Sequence, residues 1–216
     1  RTGTKKDSFN VDDCANKKLL TLGEKIKVKQ FILLSAICVQ KPKLFFQFAK
    51  LKFEKELIDS FIPHTIIRPT AFFKSLSGQI DRIRKGKKFI IFNNGDLTRC
   101  KPISSKDLSI FIFQCINTKN KLNKILPIGG PGPALNSKQI GEIIFKYAGK
   151  KPKYRKISPK IFKLFKMFFL PLSIFSIKIK DKLEFFDIAY YYSTESMLVY
   201  DFDNKEYSDT LTPEFG

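Results

Sequence analysis

The sequence predicts an α/β fold built on a parallel sheet, and two kinds of pattern support this prediction. Two short apolar runs, at 28–37 and 63–73, lack the alternation of a half-exposed strand, which is typical of strands that are covered on both faces. Between them, residues 41–61 carry apolar side chains at roughly helical spacing. The order strand, helix, strand is typical of a βαβ unit, in which the two strands run parallel.

The ends of the early elements are predicted from individual residues. Asp12 or Asp13 lies near the start of a first helix, and Gly23 is its expected end. The second apolar run is expected to stop as a strand at Pro69, because proline has no amide hydrogen for the interior of a sheet.

The second half of the chain continues the alternation of strands and helices. A turn is predicted at Gly86, followed by a strand at 88–92 and an Asn-Asn-Gly-Asp turn. A helix follows that either Ser104 or Ser105 caps. Residues 124–149 predict a strand, a Gly/Pro loop and a further helix.

The segment 158–180 is very apolar but is interrupted by Lys163, Lys166 and Pro171. These interruptions make it too short for a transmembrane helix. It predicts an amphipathic helix that packs over a pocket or rests on a membrane surface. The polar, turn-rich residues after 189 are expected to wrap around the surface of the domain.

The formal charge of +20 raises the possibility of a nucleic-acid-binding module. Only six of the 40 basic residues are arginine, and the lysines are scattered along the chain instead of forming one block. Arginine is the usual residue for bidentate contacts to phosphates and bases, so we predict no nucleic-acid partner. A basic surface still favours acidic ligands or an anionic membrane.

The cysteines do not form a metal-binding pattern. Cys14, Cys38, Cys100 and Cys115 include no C-x-x-C pair, and His64 is the single histidine, so no metal site is predicted. Cys38 and Cys115 lie in apolar stretches and are interpreted as reduced core thiols, which favours a reducing compartment.

A Gly/Pro loop, "GGPGPAL" at 129–135, follows the predicted strand that starts at residue 124. Pro131 and Pro133 remove amide donors that a phosphate would need, so the loop is interpreted as a rigid connection instead of a nucleotide site. Another motif, Phe46-x-x-x-Lys50, opens the helix at 41–61. Many nucleotide-dependent reductases have Tyr-x-x-x-Lys at this place, where the tyrosine handles a proton; Phe46 has none to give.

Several specific strings resemble one family. In order along the chain they are "FILLSAICVQKP", "AKLKFE", "IIRPTAFFKSL", "CKPIS", "LPIGGPG" and "YYSTESMLV". Together they closely resemble the NADPH-type divinyl chlorophyllide or protochlorophyllide 8-vinyl reductases, which belong to the atypical short-chain dehydrogenases/reductases. The resemblance runs from residue 1 to residue 216.

The resemblance implies the C-terminal portion of a Rossmann-type doubly wound parallel sheet with a small α/β substrate lobe. Residues 1–80 would form the C-terminal half of the NAD(P)-binding domain. Residues 81–216 would form a mixed substrate-binding region with a strand that rejoins the sheet. Arg1 would fall just after the fourth Rossmann strand, so the glycine-rich phosphate loop is expected upstream of this chain, and this piece alone is expected to be inactive if it cannot hold NADPH.

The implied activity is the NADPH-dependent reduction of the 8-vinyl group of a tetrapyrrole, divinyl chlorophyllide or protochlorophyllide, to ethyl. The implied location is a plastid, with a bacterial cytoplasm as the alternative, and peripheral contact with a membrane is considered. Two other hypotheses stay open at this point. One is a catalytically silent reductase-like subunit of a membrane complex, and the other is the nucleic-acid-binding module.

The resemblance also implies site residues. Ser35 and Lys50 would be catalytic, beside the nicotinamide and its ribose. Cofactor contacts are implied at Thr2, Gly3, Lys50, Arg68, Pro69 and Thr70. Substrate contacts are implied at Phe72, Phe73, Lys74, Arg99 and Lys101. The two phenylalanines would stack on the macrocycle, and the three basic residues would pair with its propionate. Without the resemblance, these residues are interpreted as a strand-end serine, core phenylalanines and solvated basic side chains.

The absence of a phenol at Phe46 has a chemical interpretation within this family. Hydride attack on a conjugated vinyl group spreads negative charge over the macrocycle and produces no localised alkoxide. A tyrosine at the distance that a carbonyl substrate requires is then dispensable. The source of the second hydrogen, a proton, stays open on the sequence alone.

Overall fold

The computed structural model describes residues 8–174 and 177–215 and has the predicted α/β fold. A π-helix at Ser8–Ala15 leads into the first α-helix. The α-helices, α1 to α7 in chain order, are Asn16–Lys25, Phe45–Ile58, Ser77–Arg84, Ser105–Cys115, Ser137–Tyr147, Lys160–Phe169 and Ile177–Thr194. The strands, β1 to β9 in chain order, are Phe31–Leu34, His64–Pro69, Phe89–Phe92, Arg99–Cys100, Lys124–Ile128, Leu135–Asn136, Tyr154–Ile157, Val199–Asp201 and Glu206–Ser208.

The main sheet has three parallel strands in the order β1-β2-β5. Helices cover both of its faces. Neighbouring residues of the central strand β2 point to opposite sides and pack against different helices. Ile66 packs with Phe53 and Leu57 of α2, whereas Ile67 packs with Leu108 of α4. This burial on two sides explains why the strand sequences are continuously apolar.

A second, smaller core lies beyond the main sheet. Strands β3 and β7 pair in parallel, with Phe89 opposite Tyr154. Helices α3 and α5 pack on them through Ile83, Ile140 and Phe145. Between these elements the chain returns to the main sheet as β5, which pairs with β2. The chain therefore passes from the second core to the main sheet and back again.

The predicted end of the first helix at Gly23 is wrong, because α1 continues to Lys25. Gly23 instead lies within the helix and lets side chains from outside the helix approach its backbone closely. A Cβ atom there would lie 3.1 Å from a methyl group of Val28 and 3.2 Å from one of Ile62. The turn glycines Gly86 and Gly149 do have positive φ angles, 73° and 63°, as turns and helix ends favour.

The C-terminal residues do not simply wrap around the surface as expected. Helix α7 continues through the three consecutive tyrosines, 190–192, and ends at Thr194. Tyr191, Met197 and Leu198 are buried, and only then does the chain form the β8–β9 hairpin. This part of the chain therefore contributes to the interior next to the sheet edge.

Helix α4 shows which of the two candidate serines acts as the cap. The Ser104 side chain accepts a hydrogen bond from the amide of Asp107 at 3.0 Å, so Ser104 precedes the helix and Ser105 begins it. In residues 8–174 and 177–215, no helix is long and apolar enough to cross a membrane.

Candidate active site

A cavity of about 570 Å³ opens at the carboxyl ends of β1 and β2. Open parallel α/β sheets bind their ligands at this edge, and the volume lies within the usual range of small-molecule sites, about 300–1,000 Å³. Residues 36–38 and 69–72 form its floor, and Phe89 and Phe92 of β3 form one wall. Tyr192 and Met197 of the C-terminal region close another side.

The cavity includes some of the predicted site residues and leaves others outside its lining. Pro69, Thr70, Phe72 and Arg99 line it. The remaining predicted residues that the structure describes, namely Ser35, Lys50, Arg68, Phe73, Lys74 and Lys101, are not part of its lining. Thr2 and Gly3 lie outside the described residues.

Below the floor of the cavity, three polar side chains form a buried network. The Ser35 hydroxyl at the end of β1 donates a hydrogen bond to the Glu54 carboxylate of α2. The Arg68 guanidinium of β2 donates to both oxygens of the same carboxylate, from Nε to Oε1 at 3.2 Å and from a terminal nitrogen to Oε2. Glu54 is only 2% exposed. Arg68 is therefore occupied by Glu54, and the network ties β1, α2 and β2 together.

Lys50 lies one helical turn before Glu54 and is also engaged. Its ammonium is 3.0 Å from the carboxylate of Asp12, a buried residue of the π-helix. The neighbouring Asp13 pairs with Lys17 at 3.1 Å and Lys52 at 3.2 Å. Burial raises the pKa of Asp13, but the hydrogen bonds from the two lysines outweigh it, so its pKa lies below the ordinary value.

Cys38 lies in the cavity floor, and its backbone and side chain both make polar contacts. Its carbonyl accepts hydrogen bonds from the Gln47 side chain at 2.9 Å and from the Tyr191 hydroxyl at 3.1 Å. Its Sγ is 3.9 Å from the Tyr192 hydroxyl. Burial raises the pKa of the Cys38 thiol, while Gln47, Tyr192 and Lys50 lower it by less. The net pKa is above the ordinary value. The group therefore stays protonated at neutral pH, as expected of a reduced core thiol.

Glu195 provides the carboxylate that lines the cavity. It accepts hydrogen bonds from Lys43 and, at 2.5 Å, from the Tyr207 hydroxyl, and Lys41 lies 3.6 Å away. Burial raises the pKa of Glu195, but the hydrogen bonds from Lys43 and Tyr207 lower it by more. The pKa of Glu195 therefore lies below the ordinary value. Glu195 is therefore ionised at neutral pH.

Arg99 and Lys101 face different environments although they are two residues apart. Arg99 is exposed at the cavity, where its guanidinium donates to the Ala134 carbonyl at 3.1 Å. Lys101 is buried, and its ammonium lies 3.2 Å from Asp209 and 3.5 Å from Glu214. Of the two, only Arg99 presents its charge to the cavity.

The Gly/Pro loop is shaped by close backbone packing. A Cβ atom on Gly130 would lie 1.9 Å from the carbonyl oxygen of Pro102, and one on Gly129 would lie 2.8 Å from Cβ of Lys101. The Gly130 amide donates to the Lys101 carbonyl at 3.1 Å. These glycines therefore bring two chain segments together, as expected of a rigid connection.

Sequence reasoning missed the residues that hold the site together: Gln47, Glu54, Tyr192 and Glu195. Glu54 has one usable signal, because it lies four residues after Lys50 and four-residue spacing places side chains on the same helix face. Tyr192 and Glu195 lie in the string "YYSTESMLV" that carries the resemblance, but the string does not give their roles, because the contact of Tyr192 with Cys38 spans residues far apart along the chain. Gln47 had no distinguishing signal.

Comparison with solved structures defines the class of fold. The NADPH-dependent quinone oxidoreductase of Escherichia coli, solved with NADPH, superposes with a TM-score of 0.62 at 16% identity, over 93% of this chain and 67% of its own. The UDP-glucuronic acid 4-epimerase of Bacillus cereus, solved with NAD, also gives 0.62, at 18% identity over 69% of this chain and 57% of its own. The fold is that of the Rossmann-type proteins.

Comparison with curated sequences narrows this class. The chloroplastic divinyl chlorophyllide a 8-vinyl-reductase of Arabidopsis thaliana is 46% identical over 222 aligned positions, which cover all of this chain and 53% of the plant protein. The reductases of Cucumis sativus and Oryza sativa are 45% and 43% identical, again over the whole chain. No family model matches.

The resemblance stated from the sequence is thereby confirmed. From end to end, this chain is homologous to divinyl chlorophyllide a 8-vinyl reductases. The chain spans about half the length of the curated relatives that it matches.

Proposed function

We propose that this chain is part of a plastid enzyme of chlorophyll synthesis that reduces the 8-vinyl group of divinyl chlorophyllide, or of divinyl protochlorophyllide, to ethyl with NADPH. The observation that carries the proposal is the 43–46% identity over the whole chain to reductases with this activity in their names. Of the two other hypotheses, neither the nucleic-acid-binding module nor the silent reductase-like subunit gains a supporting observation.

The residues at the sheet edge are compatible with the nicotinamide end of NADPH. The cavity begins directly at Ala36, Pro69 and Thr70, so a planar ring placed there would meet backbone and small side chains. Lys50 and Ser35 lie behind this edge in fixed orientations, through Asp12 and Glu54. When bound, NADPH would supply a hydride, and the chain would hold it in register with the substrate and exclude water.

The opposite wall suits a flat apolar pigment. Phe89 and Phe92 of this wall, together with Phe72 of the floor, present aromatic surface to the cavity, where stacking on a macrocycle is favourable. Arg99 is the basic side chain that we assign to the propionate, because Lys101 is already neutralised by two carboxylates. Phe73 and Lys74 are exposed and outside the lining, so we assign them to the rim.

This assignment gives the two predicted regions largely separate tasks. In our proposal, residues 1–80 hold the cofactor, residues 81–216 hold the pigment, and Phe72, Phe73 and Lys74 at the end of the first region also face the pigment. In support, the cavity lies between residues 36–38 and 69–72 on one side and Phe89, Arg99 and Met197 on the other.

The test is an assay of the protein at its full natural length with divinyl chlorophyllide and NADPH. We expect NADPH oxidation together with the small blue shift of the Soret band that loss of the conjugated vinyl group causes. No shift at any protein concentration would contradict the enzyme proposal and favour the silent subunit. The 216-residue chain alone, assayed in parallel, would show whether it holds NADPH unaided.

Arg99→Ala is expected to raise KM for the pigment about tenfold and to leave kcat within about twofold. The reason is that a hydrogen-bonded charge pair to a carboxylate contributes about 1.5 kcal/mol or more to binding, while the propionate is remote from the vinyl group. Arg84→Ala, an exposed arginine of α3 outside the cavity lining, is the matched control. Equal KM values for the two variants would remove Arg99 from the substrate site.

We also propose peripheral contact with an anionic membrane through α6. Met167 and Phe168 are 67% and 68% exposed there, and Leu164 beside them is exposed as well. Lys160, on the same helix, is exposed, and the chain carries a formal charge of +20. Exposed apolar groups next to positive charge are the combination that binds anionic bilayer surfaces.

The double substitution Met167→Ser with Phe168→Ser is expected to weaken binding to vesicles with an anionic phospholipid fraction at least about tenfold, because each side chain loses on the order of 1.5 kcal/mol of burial. Phe61→Ser with Phe113→Ser, two highly exposed phenylalanines elsewhere, is the control. Equal co-sedimentation of both variants with the vesicles would contradict the membrane proposal.

A further inference from the structure

Phe46, the position without a phenol, is outside the cavity lining, but helix α7 brings two phenols to the same region of the molecule. Phe46 packs in the same apolar cluster as Ile37, Cys38 and Tyr191. Helix α7 runs past this cluster and places the Tyr192 hydroxyl 3.9 Å from Sγ of Cys38. Tyr192 is also the one tyrosine in the cavity lining, as far as the structure describes the chain.

We propose that Tyr192 is the catalytic proton donor of this site and delivers its hydroxyl proton to the ring-side carbon of the vinyl group. This inference rests on the proposed function. It assigns to α7 the acid that the motif at the start of α2 lacks. A donor on the substrate side of the cavity also suits a large pigment, since the reacting vinyl group lies at the periphery of the macrocycle.

The other protic groups around the cavity are poorer donors. Glu195 is ionised by its contacts with Lys43 and Tyr207, so it has no proton to give. The Cys38 thiol belongs to a residue that is 3% exposed and lies 3.9 Å from the hydroxyl of Tyr192, which at 46% is the more accessible of the two residues. The Cys100 thiol packs against the apolar side chains of two clusters, and no hydrogen bond in the described part of the chain orients its proton toward a ligand.

Tyr192 itself remains protonated over the working range. The hydroxyl packs against Cys38, and this partial desolvation raises the pKa of Tyr192 above the ordinary value, to which the nearby Cys38 adds, although the residue as a whole is 46% exposed. The phenol therefore has a proton to give once the hydride has been delivered.

The hydrogen balance of the reaction closes with this assignment. Reduction of the vinyl group consumes one C=C π bond and forms two C–H bonds. The terminal carbon receives a hydride with two electrons, which is the contribution of NADPH. The ring-side carbon receives the proton as the O–H bond of Tyr192 breaks. The phenolate then regains a proton from water, which can reach it because the side chain is 46% exposed.

Tyr192→Phe in the full-length protein is the test, with Tyr191→Phe as the matched control. Tyr191 carries the same phenol one residue earlier, but its hydroxyl donates to the Cys38 carbonyl at 3.1 Å and does not line the cavity. We expect Tyr192→Phe to lower kcat about 100-fold or more, the usual contribution of a general acid, with pigment affinity measured by fluorescence quenching unchanged. Tyr191→Phe should keep kcat within about threefold.

Two further measurements separate proton donation from a structural role. In single-turnover mixing, Tyr192→Phe should lose NADPH absorbance before the ethyl product appears, whereas the two signals coincide in the wild type. The slow second phase should show a solvent deuterium isotope effect. If the wild-type protein is active and the Tyr192→Phe variant is equally active, this proposal is overturned but the proposed function is not. An inactive wild-type protein would instead overturn the proposed function.

Discussion

Glu54→Leu is expected to lower the free energy of unfolding by about 3 kcal/mol or more, measured by urea denaturation. The substitution removes the carboxylate that the Arg68 guanidinium and the Ser35 hydroxyl both contact. It leaves a largely buried positive charge without its partner, and breaking a buried ion pair from one side costs about 3–5 kcal/mol. The loss should also displace Ser35 and lower the activity of the full-length protein.

Two variants show whether the charge is the cause. Glu54→Leu combined with Arg68→Met should recover most of the lost stability, because a buried ion pair is often replaced by apolar residues at little cost. Glu56→Gln, on the same helix, should change stability very little, since the pair that Glu56 makes with Lys17 is partly exposed. If the double variant is no more stable than Glu54→Leu, burial of the Arg68 charge does not explain the effect.

Gly130→Ala is expected to destabilise the protein by about 3 kcal/mol or to prevent folding, a cost in the upper range for overpacking. The added Cβ would lie 1.9 Å from the Pro102 carbonyl oxygen and 2.8 Å from the carbonyl carbon. Both atoms belong to the backbone, so the clash cannot be relieved by rotating a side chain. Thermal unfolding, or the soluble yield where folding fails, is the measurement.

Gly78→Ala is the control for this substitution. Gly78 is an exposed residue of α3, and a Cβ there would meet no atom within 4 Å. Alanine should therefore stabilise the helix by up to about 1 kcal/mol. If Gly130→Ala and Gly78→Ala changed the unfolding temperature by the same amount, the assigned role of Gly130 would be contradicted.

The parallel sheet could be predicted from the sequence because short apolar runs flank a segment long enough for a helix. All four residues of β1 are apolar, although only Leu33 among them is buried, and α2 between the strands has 14 residues. The end of α1 was predicted wrongly because Gly23 has two uses that look alike in a sequence. A glycine ends many helices, but it also allows close packing, and only the positions of Val28 and Ile62 distinguish the two.

The site could be predicted only where a residue follows a strand. Pro69, Thr70 and Phe72 line the cavity because they leave β2 at its carboxyl edge, a placement that the topology alone determines. Lys101 could not be distinguished from Arg99 in this way, since its carboxylate partners Asp209 and Glu214 lie more than 100 residues later. Contacts over such distances are not visible in a local pattern.

Among the described residues, β1 forms backbone pairs with β2 on one side only. Its other side presents amide and carbonyl groups in an extended row, which is a template for adding a further strand. Within a longer chain, such an edge allows the sheet to continue. In a preparation of these 216 residues alone, the exposed edge of β1 would favour edge-to-edge self-association. A separately supplied segment of the same protein that contains a strand would suppress this self-association by pairing with β1.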